Sequence, residues 1–317
     1  MKYLVVSNKH HLHHLARWLS AEVGAGEVGL AAVKPAYQER AWEGIFPRVK
    51  LPPRRTETWD EWIVKWPEHE VLITDSHTLT RVDPLALGAV PATEGPTSPL
   101  ALGGWWDGEA LRAPHWVIRD VGLWPCNLGP AELGGVTLVA GTRFPLAALE
   151  SYLPSLGGFR GLIALDLMWD AGEKGWRAGR LQAGWPFLHA QAFLWAQPSV
   201  AAVLEGKPAP LPAYTVGASV CVPPYPFNGD VKPRPLQLAE GAAAHLVLFD
   251  AQVRGKEVWT AGLDGLVALA CGRGATLSAA RQTALAAVPV AHELGVRTDV
   301  GTLAEGVLVE LERCGWL

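Results

Sequence analysis

The sequence predicts an α/β protein in three parts: a doubly wound N-terminal domain over residues 1–88, a core sheet over 105–214 and an α+β unit over 215–317, with a linker at 89–104. Three observations carry this prediction. The chain opens with a strand-like run, a tight loop and an amphipathic helix, which is how a doubly wound sheet begins. The stretch Gly157–Gln191 reads as a strand, a polar turn and a second strand. The last third alternates short apolar strands with one amphipathic helix.

In order, Tyr3–Val6 is the first strand, and Leu12–Val23 is a helix with Leu12, Leu15, Leu19 and Val23 on one face. Between them lies SNKHHLHHL (Ser7–Leu15), in which His10 and His14 share a helix face. No carboxylate or Cys lies near them in sequence, so no metal is assigned there. His13, at the C-terminal edge of the first strand, is a candidate for proton transfer. Glu27–Val33 is a strand, and Thr58–Trp66 is a helix whose Trp59, Trp62, Ile63 and Trp66 form a core stripe. Glu70–Thr74 is a parallel-type strand that delivers Asp75, Ser76 and His77 at its end, where open α/β sheets bind ligands.

The Pro, Gly, Ser and Thr of Ala89–Gly104 mark a linker. Beyond it, Arg119–Gly129 gathers Arg119, Asp120, Cys126 and Asn127 among turn residues, a loop suited to presenting side chains to a substrate. Nothing in the sequence marks Cys126 as an activated nucleophile. The hairpin follows: strand Gly161–Trp169, turn Asp170–Gly175, strand Trp176–Leu181, and a Gly-x-Pro corner at Gly184–Pro186.

Composition bounds the function. With 317 residues, 49% hydrophobic and 18% charged, the chain can bury a sizeable core. A formal charge of −4 argues against general polyanion binding, although Lys50–Arg55 is locally basic enough to meet phosphate. The opening MKYLVVSN has no signal-peptide pattern and no stretch is long enough to span a membrane, so a cytoplasmic protein without membrane contact is expected. Cys126, Cys221, Cys271 and Cys314 lack CxxC spacing and read as free thiols. Most of the 15 tryptophans are expected in core and interfaces, with a few exposed ones available to stack on a base.

The order of features in the hairpin resembles the catalytic hairpin of the ATP-grasp ligases, most closely glycinamide ribonucleotide synthetase. That family's "GFxGxLxxxLM" strand is matched by Gly158, Phe159, Gly161, Leu162, Leu167 and Met168. Its second half, "EFNxRFGDPE", is not matched. Aligned on Gly184 and Pro186, the Glu falls on Ala178, the Asn on Arg180, the Arg on Gln182, and the flanking acids on Trp185 and Phe187. In the family the Glu and Asn hold the magnesium ions that bridge the ATP phosphates. A methyl group and a guanidinium supply no hard oxygen ligand. The opening loop keeps His13 and Leu15 of "GSGGREHAL" but no glycine, and no Lys stands between Lys65 and Lys174, so the ATP lid looks deleted. In the last third, Tyr225 and Pro226 match the "GYP" loop, Thr260 and Gly262 the "tSGGRVL" pair, and Arg297, Asp299 and Gly301 the closing "YRxDIG". The resemblance implies a Rossmann-like N-terminal domain, a reduced ATP-grasp-like core sheet and a C-terminal α+β domain.

The implied function keeps the scaffold and loses the acyl-phosphate chemistry. The expectation is an ATP-independent amino-acid transferase, using glycine, that acts on a phosphate-activated nucleotide or DNA pyrimidine, as in viral DNA hypermodification. No cofactor is expected; ATP and Mg belong to an alternative ligase reading, and a non-catalytic binding protein is a third. His13, His77 and His189 are the candidate bases, and Arg180 the cation facing the leaving phosphate. Asp75, Ser76, Arg119, Asp120, Asn127, Gln182, Tyr225, Arg297 and Asp299 are the candidate substrate contacts, although Arg297 and Asp299 also read as an ion pair anchoring the last helix.

Overall fold

A computed structural model describes residues 2–7, 12–32, 49–50, 71–74, 86–87, 98–120, 134–156, 159–185, 188–222, 225, 232–263, 265–289 and 294–317. The first part comprises β1 (Tyr3–Ser7), α1 (His13–Val23), β2 (Val28–Ala32), β3 (Val49–Lys50), β4 (Val71–Thr74) and β5 (Ala86–Leu87). These strands form an all-parallel sheet in the order β3-β2-β1-β4-β5, with Tyr3 opposite Val28 on one side and Val71 on the other. The opening strand and helix fall where the periodicity puts them, because Leu12, Leu15, Ala16 and Leu19 bury one stripe of α1. The helix expected at Thr58–Trp66 lies outside the described residues.

The centre of the molecule is an antiparallel sheet of nine strands. Its elements and those around it are β6 (Leu100–Trp106), β7 (Leu111–Arg119), β8 (Gly135–Val139), α2 (Ala147–Glu150), α3 (Leu153–Leu156), β9 (Gly161–Asp170), β10 (Gly175–Ala183), α4 (Leu188–Ala196), α5 (Val200–Leu204), β11 (Tyr214–Cys221), β12 (Pro235–Leu236), β13 (Leu246–Leu248), β14 (Ala251–Arg254), β15 (Glu257–Thr260), β16 (Leu266–Gly274), α6 (Leu277–Ala286), β17 (Gly295–Val296) and α7 (Thr302–Arg313). The strand order is β10-β9-β6-β7-β8-β11-β16-β13, and β17 pairs with the end of β11 beyond the reach of β8. β12, β15 and β14 make a separate three-stranded sheet.

Two expectations change here. Leu100–Gly104, expected in the linker, lies in β6, buried throughout between β7 and β9: the glycines that suggested a linker instead let neighbours approach. At Gly103 a Cβ would meet His115 Nε2 at 2.7 Å and Val117 Cγ2 at 2.6 Å. The nine-stranded sheet also runs across the expected boundary at 214/215, since β11 pairs with β8 on one side and β16 on the other.

Both faces of this sheet are covered, which explains the near-continuous apolar runs of β6, β9 and β16. One face packs Ala101, Val117, Leu138, Leu162 and Ala164 against α4 and α1. The other packs Leu102, Trp116, Ile118, Leu165 and Val216 against α6 and α7. α4 is apolar nearly all round because it is buried between layers. The sheet edge at β13 is met by α1: His14 Nδ1 accepts the Leu248 N–H at 3.0 Å.

Candidate functional site

Alternation along β7 sends Arg119 and Asp120 to opposite faces of the sheet, so the expected site divides in two. On the α4 face, Arg119 reaches across β6. Its Nη1 donates to Asp166 Oδ1 at 2.5 Å and to the Ser98 carbonyl at 3.0 Å, and its Nη2 donates to Gln182 Oε1 at 2.9 Å. The Ser98 N–H also donates to Asp166 Oδ2 at 3.2 Å. Arg119, Asp166 and Gln182 are all buried. Burial pushes the Asp166 carboxyl up, against the pull of the Arg119 charge and of His189. His189, on α4, is buried and acts electrostatically on both Asp166 and His115. His115 stacks on Phe193 with centroids 4.8 Å apart, its Nδ1 lies 2.9 Å from the Ala113 carbonyl, and burial lowers its pKa to about 4.

On the opposite face, Asp120 accepts the Gly301 N–H at 2.8 Å, at the N-terminus of α7. Arg297 clamps Asp299 through two hydrogen bonds, from Nε at 2.8 Å and from Nη2, while its buried Nη1 makes no hydrogen bond. A Cβ at Gly134 would lie 2.9 Å from the Asp120 carbonyl and 3.0 Å from Arg297 Nη1, so glycine lets the two pack together. Burial raises the pKa of the Asp120 carboxyl, while the Arg297 charge opposes the rise. The pairing with Arg297 lowers that of Asp299.

Between α7 and the β9–β10 hairpin lies an open cavity of about 620 Å³, whose wall does not include Asp120, Arg297 or Asp299. Its wall includes Leu167, Trp169, Trp176, Leu303, Val307 and Leu311, with Ser98, Glu310 and Arg313 as polar members. Trp169 is 49% exposed and meets Trp176 edge-on at 5.3 Å. Its size is that of a small-molecule site.

Of the expected residues, Asp120, Arg297 and Asp299 come together at the N-terminus of α7, and Arg119, Gln182 and His189 come together on the opposite face of the sheet. His13 is buried in the first turn of α1, and it lines neither this cavity nor the polar one around Trp105, Asp107, Arg160 and Glu205. Arg180 is half-buried at the β10 bulge between Ala178 and Leu181, next to Gly179, whose carbonyl accepts the Tyr152 hydroxyl. Tyr225 is half-buried, and its backbone N–H bonds to Val222 O at 3.1 Å. Asp75, Ser76, His77 and Asn127 lie outside the described residues. Sequence reasoning passed over Asp166 and His115. A lone acid in LIALDLMW and a lone imidazole in HWVI were the available signals, since such groups are seldom buried without partners.

Magnesium ions of the kind the hairpin resemblance implies do not fit these residues. Ala178 and Arg180 offer no oxygen ligand, and Asp166 is held by a guanidinium. Among the described residues, no group of three or more His, Cys, Asp and Glu side chains is placed to hold a metal ion, nor is any helix long and apolar enough to cross a membrane. Cys221 and Cys271 are buried and Cys314 is exposed.

The fold is thus a mixed α/β architecture dominated by a large antiparallel sheet. Solved structures sharing it include two carboxylases and a urea amidolyase. The Kluyveromyces lactis urea carboxylase superposes with a TM-score of 0.56 at 11% identity, over 94% of this chain and 30% of that one. The K. lactis urea amidolyase gives 0.52 at 11% identity, over 94% and 21%. The multifunctional pyruvate carboxylase of Rhizobium etli gives 0.55 at 12% identity, over 94% and 37%. The chain therefore spans between 21% and 37% of the length of these proteins. At this identity the likeness is one of fold alone. No protein-family model matches the chain, and no curated protein matches its sequence.

Proposed function

We propose that the chain is an ATP-independent transferase that joins the amine of an amino acid, glycine in the first instance, to a phosphate-activated nucleotide or DNA pyrimidine. The reading takes the scaffold as a degenerate relative of glycinamide ribonucleotide synthetase. The parallel five-stranded sheet supports a Rossmann-like first part, and the nine-stranded sheet supports a reduced ATP-grasp-like core. The carrying observation is the closeness of the Asp120 carboxylate to Arg297 at the N-terminus of α7, the helix whose later turns wall an aromatic-lined cavity. A carboxylate next to a guanidinium with an unused N–H matches a zwitterion, the ammonium meeting Asp120 and the carboxylate Arg297. The cavity offers an indole face on which a base can stack.

In the proposed step the neutral amine attacks the carbon bearing the phosphate. An N–C bond forms, the C–O bond breaks, and phosphate departs with the electron pair. Asp120, whose pKa burial raises, takes the proton that turns the bound ammonium into the neutral amine, and the departing phosphate takes the second proton that the nitrogen loses once the N–C bond has formed. Arg180 is the cation offered to the departing phosphate. No step runs through a metal or ATP. The setting would be cytoplasmic, in an infected host cell if the source is viral.

Two other readings have support. The fold likeness to carboxylases favours an ATP-dependent ligase, and the apolar cavity lining favours a non-catalytic binding protein. Calorimetry with glycine, a pyrimidine nucleoside diphosphate, short DNA and Mg-ATP separates the three. Binding of glycine and nucleotide, with glycine lost in Arg297→Gln, supports the transferase. Mg-ATP binding favours the ligase, and nucleotide binding without any amino acid favours the binding protein.

A further inference from the structure

We propose that Arg119 is a resident cation: its guanidinium fills a cradle of three oxygens, Asp166 Oδ1, Ser98 O and Gln182 Oε1, that would otherwise take a hard divalent cation. The three oxygens come from neighbouring places in one sheet. Ser98 precedes β6, Asp166 is on β9, and Gln182 is on β10. A carboxylate, a backbone carbonyl and a side-chain amide are the ligand types that calcium, magnesium and manganese accept. Here they converge on two nitrogens of one guanidinium, at 2.5, 3.0 and 2.9 Å. Arg119 starts on β7, one strand beyond β6, and only a long side chain with forked donors bridges that distance to three acceptors. Because guanidinium only donates, it fixes the Gln182 oxygen inward and leaves the carboxylate charge-balanced. The side chains of Arg119 and Asp166 are 2% and 0% exposed, so the cradle is sealed as well as filled.

A protein cation is bound at every metal concentration, so the hairpin keeps its charge balance without recruiting an ion. This inference stands whether or not the transferase reading does. It predicts that shortening the arginine frees the oxygens for a metal.

The test titrates wild type, Arg119→Ser, Arg119→Gln and Arg119→Lys with Mn²⁺ alone, following free Mn²⁺ by electron spin resonance and stability by thermal melting. Arg119→Ser is expected to bind one Mn²⁺ about tenfold or more tighter than wild type, with a metal-dependent rise in melting temperature. The gain should vanish in Arg119→Ser/Asp166→Asn, and Arg119→Lys, which keeps the charge, should show none. If Arg119→Ser or Arg119→Gln is unfolded without metal, Mn²⁺-dependent refolding supports the cradle, and a chain that stays unfolded in Mn²⁺ counts against it. Folded variants that bind Mn²⁺ no better than wild type, or a gain that survives loss of Asp166, would overturn the proposal.

Discussion

Arg119 and Asp120 show how one bond in the sequence separates two jobs. Both were expected in a single substrate loop, yet the period-two alternation of β7 sends Arg119 to the α4 face and Asp120 to the N-terminus of α7. Asp166→Asn would leave the Arg119 charge buried without its counter-ion and is expected to cost about 3–5 kcal/mol in denaturant unfolding. The paired exchange Arg119→Met/Asp166→Leu should recover most of that loss, because it removes both charges and keeps the volume. Two buried imidazoles set the acid limit. Burial, with Arg17 nearby, lowers the pKa of His14 from 6.5 to about 3, and burial lowers that of His115 to about 4. Both pKa values are depressed on folding, so their support is complete above about 6.5 and is lost as pH falls below it. Near pH 5 each should cost roughly 2 kcal/mol relative to neutral pH. Urea midpoints measured across that window check this, and His14→Gln should flatten part of the slope.

Among the elements, the β9–β10 hairpin was the most legible. Its turn chemistry and apolar strands were read to within two residues of the observed ends. The part that was missed is the bulge at Gly179–Arg180, because bulges are fixed by partner strands rather than by local pattern. β6 was misread for a related reason. Its PLALGG context carries turn residues, and only the packing of His115 over Gly103 explains glycine inside a central strand. α6 depends on similar close approach to β16: a Cβ at Gly272 would sit 2.1 Å from the Ala280 carbonyl. Gly272→Ala is therefore expected to push α6 off the sheet and destabilise the protein by roughly 1–3 kcal/mol, read from thermal melting.

For the whole molecule, the sequence made the mixed α/β class legible, because helix and strand periods differ and both are strong here. It did not reveal that the strands of residues 100–221 share one sheet with β13, β16 and β17, since long-range pairing leaves no local mark. The site was half legible. Asp120 was chosen from one stretch and Arg297 and Asp299 from another, and they come together, whereas the cavity walled by Trp169, Trp176 and α7 is a product of tertiary packing. Trp169→Ala should weaken nucleotide binding by about 1–3 kcal/mol in calorimetry while leaving glycine affinity unchanged.

The central claim is amino-acid transfer without ATP. Its most direct test incubates the protein with isotopically labelled glycine and a phosphorylated-pyrimidine DNA, with no ATP present, and follows both label and phosphate by mass spectrometry. The account predicts label on the base, with phosphate released in equal amount, and loss of both in Asp120→Asn. Label that appears only with Mg-ATP, accompanied by ADP, would contradict it.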